Sequence, residues 1–156
     1  MLALAFLVVG ALVICDQLTK YMVVSFIKPS DDVSVIGELL KFTYLENRGA
    51  AFGILQNQRW IFIIITVLII CAFIWMMIKY EIKSKLLYAA SLLIVAGGVG
   101  NLIDRIFLGY VVDFIKVSFF PPVFNFADCC VTIGCALLII SVLAVKTPLI
   151  KKTKKD

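Results

Sequence analysis

The sequence NLIDRIFLGYVVDF places three ionisable side chains, Asp104, Arg105 and Asp113, within ten residues of otherwise apolar chain. Two further aspartates, Asp16 and Asp128, also lie beside or within long apolar runs. Ionisable groups at membrane depth are costly and are functional candidates by default. Two carboxylates in a poorly solvated place cannot easily both ionise, so one keeps a proton and the pair can perform acid–base catalysis.

Each of these charges also has a purely structural explanation. Asp16 and Lys20 are four residues apart, on one face of a helix, where they can neutralise each other. Asp104 can pair with its neighbour Arg105, and Asp128 lies in the first turn of a helix, where the macrodipole favours an anion. Four such acids converging at one end of the apolar segments favour a common site, but their spacing leaves open which of them carry the chemistry.

The spacing Asn-x-x-Asp occurs twice, as Asn101–Asp104 and as Asn125–Asp128. Three residues along a helix put both side chains on nearly the same face, where an asparagine can orient a carboxylate or a substrate amide without adding charge. Helix capping is the alternative explanation, and it is stronger for Asn125 than for Asn101. The GGVG sequence before Asn101 indicates close approach of a neighbouring helix or of a ligand.

The composition restricts the chemistry and the surroundings. The chain has no histidine, which excludes the Ser-His-Asp triad, the Cys-His pair and imidazole metal sites. Its five cysteines lack the C-x-x-C spacing of metal or redox sites, and paired carboxylates need no cofactor. With 63% hydrophobic residues and a mean hydropathy of +1.09, the chain requires lipid as solvent. The net charge of +5 collects at segment ends, so nucleic acid is not an expected partner.

A helix that crosses the hydrocarbon needs about 20 residues. Four segments meet this requirement, at approximately 2–27, 60–78, 86–105 and 124–145. The first is long enough only if it continues past Asp16, with that residue at or near membrane depth. The N-terminal segment lacks the basic start and small cleavage residues of a signal peptide, so we expect a permanent helix.

Four spans place both termini on one side of the membrane. The lysine-bearing connection at 79–85 and the tail at 146–156 are predicted to be cytoplasmic by the positive-inside rule. The connections at 28–59 and 107–123 then lie on the extracytoplasmic side. There, the alternating residues of VSVI and KFTYLE predict a small sheet at the membrane surface.

The predicted fold is therefore an all-α membrane protein of one domain, residues 1–156, with four transmembrane helices. A small β-sheet and a short interfacial segment are expected on the extracytoplasmic side. Pro121 and Pro122 are expected to end regular structure before the fourth helix.

The sequence resembles the bacterial lipoprotein signal peptidases, the signal peptidase II family. Five motifs carry the resemblance, in the order and at the spacing found in the family, and together they are far more specific than any one of them. The motifs are DQLTK at 16–20, ENRGAAFG at 46–53, GGVGNLIDR at 97–105, VVDF at 111–114 and FNFAD at 124–128.

The resemblance implies an aspartic intramembrane endopeptidase of the bacterial cytoplasmic membrane, with its active site at the extracytoplasmic face. It would remove the signal peptide of a prolipoprotein by cutting before the cysteine that carries a diacylglyceryl group. The family's catalytic pair corresponds to Asp113 and Asp128, which would activate water without a metal or cofactor. The resemblance implies substrate-binding or site-organising roles for eight other residues: Asp16, Lys20, Asn47, Gly49, Asn101, Asp104, Arg105 and Asn125.

The implied partners are the diacylglyceryl-modified prolipoprotein, membrane lipid and the cyclic peptide antibiotic globomycin, which is expected to bind between the two catalytic aspartates. The sequence leaves open which aspartate is the base. Two other functions are alternatives: a small transporter or proton pathway, and a structural subunit whose acids anchor helix ends. A transporter predicts acids spread through the membrane depth, whereas Asp104, Asp113 and Asp128 lie at one end.

Overall fold

The computed structural model describes residues 2–30, 32–49, 56–144 and 150–152. Within these residues, four helices are long and apolar enough to cross a membrane, which confirms the predicted number of long apolar helices. They are α1 (Leu2–Met22), α2 (Arg59–Lys79), α3 (Lys85–Phe107) and α4 (Phe126–Ala144). A π-helical segment, Val23–Ile27, continues α1 and lengthens the first span.

Six short strands are described, and they form two antiparallel sheets. The strands are β1 (Val33–Ile36), β2 (Leu40–Asn47), β3 (Tyr80–Ile82), β4 (Val111–Val117), β5 (Phe120–Phe124) and β6 (Ile150–Lys152). The larger sheet has the order β1-β2-β4-β5, and β3 pairs with β6. The small sheet expected from VSVI and KFTYLE is confirmed, and β4 and β5 extend it beyond the prediction.

The two prolines before the fourth helix lie inside a strand. Pro121 and Pro122 belong to β5, so the prediction that they end regular structure before this helix is wrong. Proline lacks the backbone N–H that a sheet ladder uses, and it is tolerated only where that donor is not needed, as at an edge. β5 is an edge strand, and its pairing with β4 passes from Val123 to Phe120, which leaves both prolines out of the register.

α3 lies at the centre of the bundle and contacts each of the other three helices. Its GGVG sequence makes this possible, because each glycine faces a different helix. A Cβ atom at Gly97 would overlap the carbonyl oxygen of Ala127 in α4, and one at Gly98 would touch α2 side chains. At Gly100 the added atom would lie 2.5 Å from the carboxylate of Asp16 in α1. The close helix approach expected from GGVG is confirmed.

A glycine turn explains how NLIDRIFLGYVVDF folds. α3 ends where the N–H groups of Leu108 and Gly109 both donate to the carbonyl oxygen of Asp104, at 2.8 and 3.2 Å. Gly109 adopts a φ of +84°, the left-handed conformation that commonly follows the last residue of a helix. The chain then returns as β4, and this reversal carries Asp113 back towards the end of α3.

The sheet is fixed to the bundle by an apolar cluster at the end of the first span. Val112 and Phe114 of β4 are buried against Val23 of the π-helical segment. Phe42 of β2 packs edge-to-face on Phe114, with ring centroids 5.8 Å apart. Burying such side chains stabilises the fold by about 1.5–3 kcal/mol each. This packing holds Asp113, which lies between Val112 and Phe114, against the helices.

We expect Gly97→Ala to destabilise the protein by about 1–3 kcal/mol relative to Gly10→Ala, because the new methyl group overlaps the α4 backbone. Gly10 is a matched control, since it also lies in a helix and a Cβ atom there meets nothing within 4 Å. Both variants gain the same helix propensity, about 1 kcal/mol. Thermal unfolding in detergent micelles measures the difference, and equal midpoints would contradict the close α3–α4 contact.

Candidate active site

A buried lysine of α1 lies at the centre of the polar residues. The Lys20 ammonium is 2.9 Å from Asp16 Oδ2 and 3.0 Å from Asp104 Oδ2. It also donates to Asn101 Oδ1 at 3.0 Å. The helical pair expected between Asp16 and Lys20 is therefore present. Asp104, however, pairs across the bundle with Lys20 rather than with its neighbour Arg105, among the described ion pairs.

Backbone N–H groups complete the surroundings of the two carboxylates. Asp16 Oδ1 accepts from the N–H of Ala127 at 2.9 Å, and Asp104 Oδ2 accepts from the N–H of Val112 at 3.0 Å. A buried ion pair is stable only when further hydrogen bonds satisfy its remaining lone pairs. Among the described residues, no buried side-chain nitrogen or oxygen lacks a partner. The same bonds tie α1 to the start of α4, and α3 to β4.

Gln17 is a site residue that the sequence analysis missed. Its amide nitrogen lies 3.1 Å from Asp16 Oδ2, 3.1 Å from Asp104 Oδ1 and 3.2 Å from the carbonyl oxygen of Gly100. It therefore links α1 to α3 beside the lysine. The signal was available, because an uncharged amide next to Asp16 in an apolar helix can orient carboxylates by the same argument that singled out the asparagines.

Two buried asparagine side chains connect the lysine to two more aspartates. Asn125 Nδ2 donates to Asn101 Oδ1 at 3.0 Å and to Asp113 Oδ1 at 2.6 Å. Asn101 Nδ2 donates to Asp128 Oδ1 at 2.8 Å. Because Lys20 and Asn125 both donate to the oxygen of Asn101, its amide nitrogen must face Asp128. The lysine thereby fixes how the asparagine presents itself to Asp128.

The second Asn-x-x-Asp motif caps α4. The N–H of Asp128 donates to Asn125 Oδ1 at 2.8 Å, and the N–H of Asn125 donates to Asp128 Oδ2 at 3.1 Å. This reciprocal pattern is a capping box built from Asn and Asp. Helix capping by Asn125 is thus confirmed, and the cap itself holds the Asp128 carboxylate in place. In the first motif, Asn101 and Asp104 share a face, as expected, and both contact Lys20.

Asp113 is almost completely buried, with 1% of its surface exposed. Asn47 Nδ2 donates to Asp113 Oδ2 at 2.7 Å, and Asn47 Oδ1 accepts from the N–H of Gly49 at 3.0 Å, which fixes the amide. Burial, together with the negative charge of Asp128, raises the pKa of Asp113 to about 7. The two asparagine amides oppose this shift, because they favour the ionised form. Asp113 is therefore suited to hold a proton near neutral pH.

Arg105 joins the site to the chain that follows β2. Its guanidinium donates to the carbonyl oxygens of Asn101 at 3.4 Å and of Gly49 at 3.5 Å. The same group lies 4.9 Å from the ring centroid of Phe62 in α2, a cation–π contact. Arg105 consequently connects α3, the chain that follows β2, and α2 at the edge of the site.

The structure brings all ten site residues named from the sequence into one hydrogen-bonded network. They are Asp16, Lys20, Asn47, Gly49, Asn101, Asp104, Arg105, Asp113, Asn125 and Asp128. Residues 50–53 of the ENRGAAFG motif and most of the predicted tail lie outside the described residues. The network holds two aspartates, Asp113 and Asp128, by side-chain amides and backbone N–H groups, and Asn125 contacts both of them.

Comparison with known proteins identifies the family. The family model for signal peptidase (SPase) II matches residues 8–144. The chain belongs to the signal peptidase II family. This is a family of proteases, so the resemblance stated from the five motifs is confirmed.

Curated relatives agree over most of the chain. A lipoprotein signal peptidase of Caldanaerobacter subterraneus subsp. tengcongensis is 45% identical over 86% of this chain and 92% of its own length. That of Streptococcus thermophilus is 45% identical over 83% of this chain and 86% of its own. That of Clostridium acetobutylicum is 38% identical and covers 96% of both chains.

Two solved structures share the fold. Both are described as bacterial membrane enzymes determined by the in meso method, at 2.3 and 1.9 Å resolution. The first has a TM-score of 0.86 and 37% identity, and it covers all of this chain and 95% of its own. The second has a TM-score of 0.82 and 39% identity, covering 92% and 94%. Together with the four apolar helices, these structures identify this protein as a multi-pass membrane protein.

We expect Lys20→Met to destabilise the protein by about 3–5 kcal/mol, because two buried carboxylates lose their cation. Lys28→Met is the matched control. The Lys28 side chain is 46% exposed and pairs with Glu46 at 3.6 Å, so its loss should cost about 0–1 kcal/mol. Thermal unfolding in detergent compares the variants. Similar losses in both would show that Lys20 does not compensate the buried charges.

A second prediction concerns the pH dependence of stability. Asp113 binds its proton more tightly in the folded protein than in the unfolded chain, so its contribution is complete at low pH and is lost as pH rises through about 7. Raising this pKa from 3.8 to about 7 corresponds to about 4 kcal/mol. We therefore expect the unaltered protein to lose stability relative to Asp113→Asn between about pH 4 and pH 7, and to change little above that range.

Unfolding midpoints in detergent, recorded at several pH values, measure this difference. Asp32→Asn is the control, because Asp32 is exposed and pairs loosely with Lys116 at 3.7 Å, so it should leave the profile unchanged. Parallel profiles for Asp113→Asn and the unaltered protein would show that the Asp113 carboxyl does not titrate in this range.

Proposed function

We propose that this protein is an aspartic endopeptidase that removes the signal peptide of diacylglyceryl-modified prolipoproteins and cuts before the lipidated cysteine. One observation carries the proposal. In a chain of the signal peptidase II family, two aspartates from separate elements, Asp113 of β4 and Asp128 of α4, are oriented by one buried asparagine, Asn125. Curated relatives of this chain are named lipoprotein signal peptidases, which supports the lipoprotein substrate.

Asp128 is proposed as the base and Asp113 as the acid. The pKa of Asp113, near 7, supports Asp113 as the protonated member of the pair at neutral pH. Asp128 takes a proton from water as that water attacks the scissile carbonyl carbon, while Asp113 donates its proton to the carbonyl oxygen. When the tetrahedral intermediate collapses, Asp128 gives its proton to the departing amine and Asp113 recovers one from the hydroxyl group. No covalent enzyme intermediate is needed.

The other residues of the network are proposed to position the two aspartates. Asn47, Asn101 and Asn125 each donate to one or both catalytic carboxylates. A further layer fixes these amides and their elements: Asp16, Lys20, Gly49, Asp104 and Arg105. Amide donors suit this task, because they orient a carboxylate without the full charge that would keep both members of the pair ionised. No metal or cofactor enters the proposed reaction.

The proposed topology places both termini, the 79–85 connection and the 146–156 tail in the cytoplasm. The 28–59 and 107–123 connections, with the active site, then lie at the extracytoplasmic face of the bacterial cytoplasmic membrane. The strands of the larger sheet lie in the α1–α2 and α3–α4 connections, whereas β3 lies in the α2–α3 connection and β6 follows α4. Helices that cross the membrane in succession place these two groups of connections on opposite sides, which supports this arrangement. The lipid chains of the substrate would remain in the bilayer and hold the scissile bond near Asp113. Globomycin is proposed to bind between Asp113 and Asp128.

We expect Asp113→Asn and Asp128→Asn each to lower turnover by about 1,000-fold or more. The acid and the base act in the same step, so the loss of either carboxyl group stops the reaction. The assay uses purified protein in lipid and a diacylglyceryl-modified precursor, and follows release of the signal peptide. Asp32→Asn is the control and should keep near-normal turnover, since it replaces an exposed aspartate of the same sheet region with the same amide.

Near-normal turnover by either Asp113→Asn or Asp128→Asn would show the assignment of the pair to be wrong. The purified chain also separates the alternatives named above, because a transporter or a structural subunit does not cut a lipidated precursor on its own. Binding of globomycin to the unaltered protein and to both variants, measured in the same lipid, tests whether the antibiotic occupies the space between the carboxylates.

A further inference from the structure

The end of the larger sheet away from Asp113 is built from two turns that lie side by side. The β1–β2 turn contains Leu39, and the β4–β5 turn contains Ser118 and Phe119. The N–H of Ser118 donates to the carbonyl oxygen of Leu39 at 3.0 Å, which ties the two turns together. The two turns therefore lie against each other at one end of the sheet.

Large apolar side chains are exposed in these turns, at Leu39 and Phe119, and at the strand residues beside them, Ile36 and Phe120. Phe119 is 78% exposed, Ile36 57%, Leu39 48% and Phe120 41%. Turns normally carry Gly, Asn, Asp, Ser and Pro, and a contiguous exposed apolar patch marks an interaction surface. We call these four residues the sheet tip. Phe120 stacks on Phe124 with ring centroids 5.4 Å apart, so the tip continues along β5 as an apolar edge.

Two lysines lie directly behind the sheet tip. Lys41 of β2 and Lys116 of β4 are register partners, so their side chains project from the same face of the sheet. Like charges placed opposite each other destabilise a sheet, and here each lysine has an acidic neighbour, Glu38 at 2.6 Å and Asp32 at 3.7 Å. The exposed apolar side chains of the tip are thus followed along the strands by lysines. This order suits a boundary where hydrocarbon meets phosphate head groups.

The sheet tip is also continuous with the lipid-facing part of the protein. β5 runs from Phe120 to Phe124, and α4 begins two residues later at Phe126. Six residue steps of extended chain span about 20 Å, so Phe120 lies within that distance of a helix that is long and apolar enough to cross the bilayer. The tip is therefore joined by one short strand to a helix whose expected surroundings are lipid.

We propose that the sheet tip inserts into the boundary between head groups and acyl chains of the bilayer, with Lys41 and Lys116 at the level of the phosphates. The partner is the membrane lipid itself, and the contact anchors the sheet at the end opposite Asp113. This proposal does not depend on the proposed proteolysis, because its test measures depth in lipid and not activity.

The test places a tryptophan at the tip of the full-length protein. Phe119→Trp is made with Trp60→Phe and Trp75→Phe, so that the new residue is the sole tryptophan. The protein is reconstituted as single copies in lipid nanodiscs, with or without phospholipid brominated near the top of its acyl chains. We expect at least about a twofold loss of emission with the brominated lipid, and an emission maximum shifted to shorter wavelength.

Leu39→Trp, in the same background, is a second reporter and should respond in the same way, because the two turns are joined. Val33→Trp is the matched control, an exposed apolar position of β1 outside the tip, and should be quenched at most half as strongly. Emission from Phe119→Trp that is unaffected by brominated lipid but quenched by aqueous iodide would overturn the proposal.

Two other results would also overturn it. A short-wavelength emission maximum without quenching by brominated lipid would mean that protein covers the tip, either another part of this chain or a second copy. Equal quenching of Val33→Trp and Phe119→Trp would mean that the sheet lies flat in the lipid, with no special role for its tip.

Discussion

The ammonium group of Lys20 is buried between α1 and α3. It is stable there because oxygen atoms of Asp16, Asp104 and Asn101 lie within 3.0 Å of it. An isolated charge in such surroundings would cost many kcal/mol, and it is tolerated only with paired charges and complete hydrogen bonding. Those partners come from two helices. The requirement to satisfy one cation therefore fixes how α1 and α3 pack, and it requires glycine at position 100, where a side chain would displace Asp16.

The same requirement extends outward to the two proposed catalytic aspartates. The oxygen of Asn101 faces the lysine, so its nitrogen faces Asp128, and Asn125 then orients Asp113. One amide, that of Asn101, separates Asp128 from the Lys20 ammonium, and two amides, those of Asn101 and Asn125, separate Asp113 from it. The charged centre is thus used for assembly, whereas the carboxylates that are proposed to react contact neutral donors. This separation assigns assembly and the proposed proton exchange to different side chains of one network.

Much of this arrangement was predictable from local spacing, and some of it was not. The pairing of Asp16 with Lys20 and the cap formed by Asn125 follow from helix geometry, which depends on neighbours three or four residues apart. Asp113 gives no such signal, because its partners, Asn47 and Asn125, come from other elements. Family resemblance was needed to choose it over Asp104, whose spacing from Asn101 is the more visible motif.

The fold shows the same division. Long apolar runs predicted the four helices, because a bilayer-spanning helix needs nothing beyond length and hydropathy. The strand that carries Asp113 was missed, since VVDFIKV is apolar on both faces at its start, where it is buried, and has no clear alternation. Pro121 and Pro122 were misinterpreted, because whether a proline is allowed in a strand depends on its place in the sheet, which only tertiary pairing decides.

This chain has no histidine, so the surroundings of Asp113 matter for proton exchange near neutral pH. Histidine is the side chain whose ordinary pKa lies near neutral pH, so a protein without it must adjust another group if it is to exchange protons there. A carboxyl group reaches that range only if its charged form is disfavoured. Burial of the carboxyl group and the nearby charge of Asp128 together raise the pKa of Asp113 to about 7. The packing of Val112 and Phe114 on Val23 is consequently relevant to the proposed chemistry, because it holds β4, and with it the buried Asp113, against the helices.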